Sequence, residues 1–148
     1  MPNINNDIRV GFFNKLLTGT ALKAAVAQVS GGTTHYKIYY QQAPQEIPGT
    51  SAAVVLPYVT MSILPILQDR DSVSKWYAAT VQFLVAALTP GEAETIAGHL
   101  TDLLEDCEST LTIGLYTTVQ ITRGEQVNLG AIDEVENIAV QYGIIIER

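Results

Sequence analysis

The sequence predicts an α+β fold. Helices pack on one face of a mainly antiparallel sheet of about four to five strands, giving a two-layer sandwich in the order α-β-β-β-α-β-β. Three observations predict it. Ala93, Ile96, Ala97, Leu100, Leu103, Leu104 and Cys107 recur at helical spacing behind the start signal Thr89-Pro90-Gly91-Glu92. Val73–Leu88 and Asn137–Ile146 instead alternate side chains with the period of a strand. Proline and glycine clusters divide the remainder into short segments. The chain of 148 residues is 47% hydrophobic and 16% charged, which provides one core and one domain, 1–148.

Taken in order, residues 6–28 read as helix in two pieces. Asn6 is the expected cap of the first, Asp7 lies at its positive end, and Ile8, Phe12 and Leu16 share a face. Thr18-Gly19-Thr20 interrupts, Thr20 re-caps a second piece, and Ser30-Gly31-Gly32 ends it. Tyr36–Tyr40 is aromatic enough for a strand. Pro44 and Pro48 make Gln41–Thr50 a loop. Val54–Ile63 reads as a second strand, either at an edge or starting after Pro57, and Ile66–Ser72 as a loop. Val73–Leu88 puts Tyr77, Ala79, Val81, Phe83 and Val85 on one face; it exceeds the usual strand length, so part is expected to project as a hairpin arm. Thr89, Pro90 and Glu92 form a capping box ahead of the amphipathic helix. Ile113–Thr122 and Asn137–Ile146 are the last strands, with Arg123–Glu136 as the connection.

Composition excludes several function classes. Fifteen acidic against eight basic residues give a net charge of −7 with no basic run, whereas gripping a phosphate backbone needs clustered Lys and Arg. The aliphatic stretch Phe83–Leu88 falls far short of the roughly 20 residues needed to cross a bilayer. The single cysteine, Cys107, can form no intrachain disulfide. It is flanked by Asp106 and Glu108, which oppose thiolate formation, so its plain reading is a core or helix-end residue. His35 and His99 have no partners at metal-ligand spacing, and Gly31-Gly32 precedes a strand rather than opening a helix as a phosphate loop does. No catalytic, cofactor-binding or metal-binding residue is assigned. Asp102, Glu105, Asp106 and Glu108 crowd the end of a helix where the dipole favours cations; this is either a solvated face or a contact surface for a basic partner.

The order of motifs resembles the tail-terminator, or tail-completion, family of minor tail proteins of long-tailed bacteriophages. The likeness is carried by Tyr36-Lys37-Ile38-Tyr39-Tyr40 running into Gln41-Gln42-Ala43-Pro44, by Leu56-Pro57-Tyr58-Val59-Thr60-Met61, and by Val81-Gln82-Phe83-Leu84-Val85-Ala86-Ala87 leading into the Glu92-Ala93-Glu94 helix. Thr118–Thr122 and Tyr142–Ile146 complete it. Departures lie at Ile66–Tyr77 and Arg123–Glu136. The resemblance implies a structural virion protein that is not an enzyme and carries no cofactor. Its place would be the head–tail junction, reached from the host cytoplasm during assembly. It would form a homo-oligomeric ring, a hexamer, that caps the tail tube and contacts the tube protein and the head connector proteins. DNA would pass through the lumen without specific binding, and no membrane is involved. A non-phage α+β adaptor or small-ligand-binding module, or a small enzyme with a site assembled only in space, stays open.

Such a protein needs surfaces for its neighbours. Gln68, Asp69, Arg70, Asp71, Lys75 and Trp76 are the expected contact residues, because a charged stretch here precedes an overlong strand and Trp and Arg are enriched where partners meet.

Overall fold

The computed structural model describes residues 3–68 and 76–148. Helix α1 (Ile4–Leu16) is capped by Asn3, whose side-chain oxygen accepts from the Asn6 amide at 3.2 Å. The cap thus falls one turn earlier than expected, because Asn3 also offers an acceptor. Helix α2 (Thr20–Ala25) starts after Gly19 rather than being capped by Thr20; Leu103 packs so closely on Gly19 that a larger residue there would have to displace the Leu103 side chain. The chain then leaves helix sooner than expected. Strands β1 (Ala27–Ser30) and β2 (Thr33–Tyr36) form a separate antiparallel hairpin. Gly31 and Gly32 are its two-residue turn, with φ of 61° and 78°, the geometry that a tight hairpin demands and glycine permits.

Among the described residues the main sheet has six strands. They are β3 (Ile38–Tyr40), β4 (Tyr58–Ile63), β5 (Leu67–Gln68), β6 (Trp76–Ala87), β7 (Thr117–Ile132) and β8 (Val135–Glu147). The order is β3-β4-β6-β8-β7, with β5 pairing the start of β6, and the sheet curls into a half-barrel. It is mixed rather than wholly antiparallel, since β3 runs parallel to β4. Strand β4 begins after Pro57, the second of the two options read from the sequence.

Helix α3 (Pro90–Leu104) forms where the capping box places it. Thr89 Oγ1 accepts from the Glu92 amide at 3.2 Å, while the Glu92 carboxylate reaches back to the Leu88 amide rather than to that of Thr89. Ala93, Ile96, Ala97, Leu100 and Leu104 are buried. The helix stops at Leu104, so Cys107 lies in the following turn, buried nonetheless. Beneath α1 and α3 lie Val81, Phe83 and Val85 of β6 and Ile138, Val140, Tyr142, Ile144 and Ile146 of β8, all buried.

Strand β6 is paired with β8 throughout its described length, from Trp76 opposite Glu147 to Ala87 opposite Glu136; residues 69–75, where the expected hairpin arm would begin, lie outside the described residues. One expectation about a long segment is overturned: the Arg123–Glu136 connection is not a loop, because β7 runs on to Ile132 and turns through Asp133 and Glu134 alone, with φ of 51° and 66°. The extra length of the fold is thus a β7–β8 hairpin.

Three substitutions test this packing by denaturant titration. Leu100→Ala is expected to cost about 2–5 kcal/mol through a core cavity, and Thr89→Ala about 1 kcal/mol through loss of the cap. Gly11→Ala would ordinarily stabilise a helix interior by roughly 1 kcal/mol. Here the added Cβ would sit 2.5 Å from the Thr112 carbonyl oxygen, a backbone atom, so the expected sign is reversed. A higher melting temperature for Gly11→Ala would refute the close approach of α1 to this loop.

Candidate functional site

Of the expected contact residues, Asp69, Arg70, Asp71 and Lys75 lie outside the described residues. Gln68 closes β5, its backbone opposite Tyr77. Trp76 opens β6, half-buried. The described chain therefore brings Gln68 and Trp76 to one end of the sheet.

The residues with reactive side chains are dispersed. Among the described residues, no three His, Cys, Asp or Glu side chains gather where they could hold a metal ion. Burial pushes the Cys107 thiol above its ordinary value; the Lys15 ammonium opposes this, and the Glu108 and Asp106 carboxylates add to it. Glu108, part of the acidic helix end, does structural work. Its Oε1 accepts from the Ile121 amide at 3.1 Å, beside the first of three bulges in β7.

One buried polar side chain stands apart. Lys37 is only 1% exposed, and its Nζ donates to the Val55 carbonyl at 2.6 Å. Gln28 reinforces the same strap: its Nε2 donates to the Ala53 carbonyl at 2.8 Å and its Oε1 accepts from the Val55 amide at 3.1 Å. Two side chains thus hold the 53–55 segment beside the β1–β2 hairpin. Burial pushes the Lys37 ammonium below its usual value, and the Glu92 carboxylate offsets part of that.

Among the surface features of the described residues, two recesses beside α1 and one exposed arm bear on contacts. An open groove of about 510 Å³ runs between α1 and the 110–114 loop, lined by Asp7, Asn14 and Lys15, with Lys15 Nζ donating to Thr110 Oγ1 at 2.9 Å. A smaller recess of about 270 Å³ is formed by Arg9, Val10, Phe13, Asn14 and Tyr40 on the β3 side of α1. Its cation is placed by the Tyr40 ring, with the Arg9 guanidinium 5.3 Å from the ring centre. At the opposite edge of the sheet, residues 122–129 of β7 are exposed without alternation. The sequence reading missed this arm; the alternation of Gln126-Val127-Asn128-Leu129 is the signal that could have found it.

No protein-family model and no curated protein matches this chain. Among solved structures, a chain described as "Virion of native gene transfer agent (GTA) particle" superposes with a TM-score of 0.72 at 16% identity, covering 100% of both chains. A second solved chain superposes with a TM-score of 0.58 at 15% identity, covering 99% of this chain and 97% of its own. The likeness shows the fold. It extends over the whole length of both chains. At such low identity no residue role transfers, and function must be argued from this chain's own surfaces.

Lys37 yields a test of the strap. A lysine whose pKa is lower folded than unfolded binds fewer protons when folded, so stability rises with pH between the lowered value and 10.5. The parent is expected to gain stability relative to Lys37→Met as pH climbs toward 10.5. Buried phenols such as Tyr142, pushed upward by burial, act the other way in both proteins and cancel in the difference. Parallel curves for the two proteins would show that Lys37 is not buried as described.

Proposed function

We propose that this chain is a structural virion protein of a phage-like particle. In this reading it caps the head-proximal end of a tail tube and joins it to the head connector as a homomeric ring, a hexamer. The observation that supports the reading is the full-length likeness to a chain of a gene transfer agent virion. The motif order in the sequence points the same way. In this reading the chain is not an enzyme, and the dispersed reactive groups suit a protein that works through surface contacts.

The charge fits the role as well. A protein with net charge −7 repels rather than binds a polyanion, which suits a passage through which DNA slides. The Gln68–Trp76 segment remains a proposed contact with the tube or a neighbouring subunit.

The test is genetic and structural. Particles made without this chain are expected to show heads and tails unjoined in electron micrographs, and adding the purified protein to such a lysate to restore joining. Complete, infectious or transfer-competent particles in its absence would overturn the reading.

A further inference from the structure

The two edges of the main sheet are opposite in character. On the β3 side, the recess of Arg9, Val10, Phe13, Asn14 and Tyr40 is mainly apolar with a guanidinium at its rim. In the chain segment that leads into β3, the Lys23 ammonium lies 5.1 Å from the centre of the Tyr36 ring. On the β7 side, Val127, Leu129 and Ile132 are 42%, 48% and 54% exposed. Glu125, Asp133 and Glu134, all exposed, flank them, and the cation on this arm, Arg123, is engaged with the Gln126 side chain. One edge is thus a hollow carrying cations, and the other a set of aliphatic projections carrying carboxylates.

We propose that the second half of β7 docks into the Arg9 recess of a second copy of this chain, so that subunits join head to tail. The proposal rests on the ring reading above and names its contact. Two physical arguments favour a copy of the chain as occupant. The charges are complementary across opposite edges of one molecule, so each copy carries both halves of the contact. The halves are different surfaces, and a contact between different surfaces repeats in one direction, closing a ring where the rotation allows. The contact is made by side chains rather than by added strand pairing. Register shifts between Thr118 and Gln120, Arg123 and Gln126, and Asn128 and Gly130 spoil β7 as a template for another strand.

The experiment uses two charge-reversed proteins, Arg9→Glu with Lys23→Glu, and Glu125→Lys with Glu134→Lys. Sedimentation velocity and native mass measurement report association, and circular dichroism reports folding. Each variant alone is expected to be folded and to associate at least about tenfold more weakly than the parent. Mixing the two is expected to restore association, because every contact in an alternating ring then meets an opposite charge. Leu129→Ala serves as a milder variant that keeps all charges, and it is expected to weaken association of the parent in the same assay. If the parent assembles and the variants do so equally well, or if the mixture is not restored, this contact is overturned while the ring reading stands. A parent monomeric at every concentration overturns both. Binding of isolated tail tubes through the β7 arm by a parent that stays monomeric would assign the arm to the tube protein instead, and that too refutes the contact between copies.

Discussion

Phe83 lies near the middle of β6, its ring centre 6.0 Å from that of Phe12 on α1 and 6.1 Å from that of Tyr142 on β8. One buried ring thereby sets the spacing between a helix and two central strands. Both pairs are tilted or edge-on rather than stacked face to face, which is the arrangement the ring quadrupoles favour, and each adds about 0.5–1.5 kcal/mol beyond burial. The rest of the inner face depends on this spacing. The α3 stripe, from Ala93 to Leu104, can lie on β6 and β8 only where α1 is held clear of it. Gly11 and Gly19 provide that fit, the first against the 112–113 backbone and the second against Leu103. The arrangement also buries the Tyr142 hydroxyl, with the Thr101 side chain of α3 beside it.

The same arrangement leaves β7 bare. Helices α1 and α3 lie over the inner face of β6 and β8, whereas residues 122–129 of β7 are exposed. A bare strand edge invites aggregation, and β7 carries the devices that prevent it: bulges, an Arg123–Gln126 side-chain contact at 2.9 Å, and acids near its turn. These devices block strand addition yet leave the side chains free, which is why an exposed arm need not mean an uncontrolled one.

What could be read from the sequence follows from what each segment buries. Strand β8 and helix α3 each bury one face against the other, so their periods of 2 and 3.6 stand out in the residues themselves. Residues 122–129 of β7 are exposed throughout, so no core enforces a pattern there, and its alternation is confined to the short stretch Gln126–Leu129. Its turn is Asp133-Glu134, which adopts positive φ without the Asn-Gly signature such turns usually show. The β1–β2 hairpin was lost for the opposite reason: Gly31-Gly32 serves equally as a helix stop and as a hairpin turn, and flanking strands of four residues are too short to decide. The recess at Arg9 was not legible at all, since Tyr40 reaches it from another element.

Charge along the chain follows the same division as the fold. Four of the eight cations, Arg9, Lys15, Lys23 and Lys37, precede Gln41, whereas every acid except Asp7, Glu46, Asp69 and Asp71 lies from Glu92 onward, where only Arg123 and Arg148 are basic. Mixed topology turns this separation along the sequence into a separation in space. The early strand β3 is forced to one edge by its parallel pairing with β4, and the late strand β7 to the other by its tight turn from β8. Had the chain closed the sheet by pairing its first and last strands, the two charge sets would face each other within one molecule and neutralise there. The half-barrel stays open, so the two charge sets stay on separate edges, and the strand order that builds the core also makes the molecule's two edges unlike.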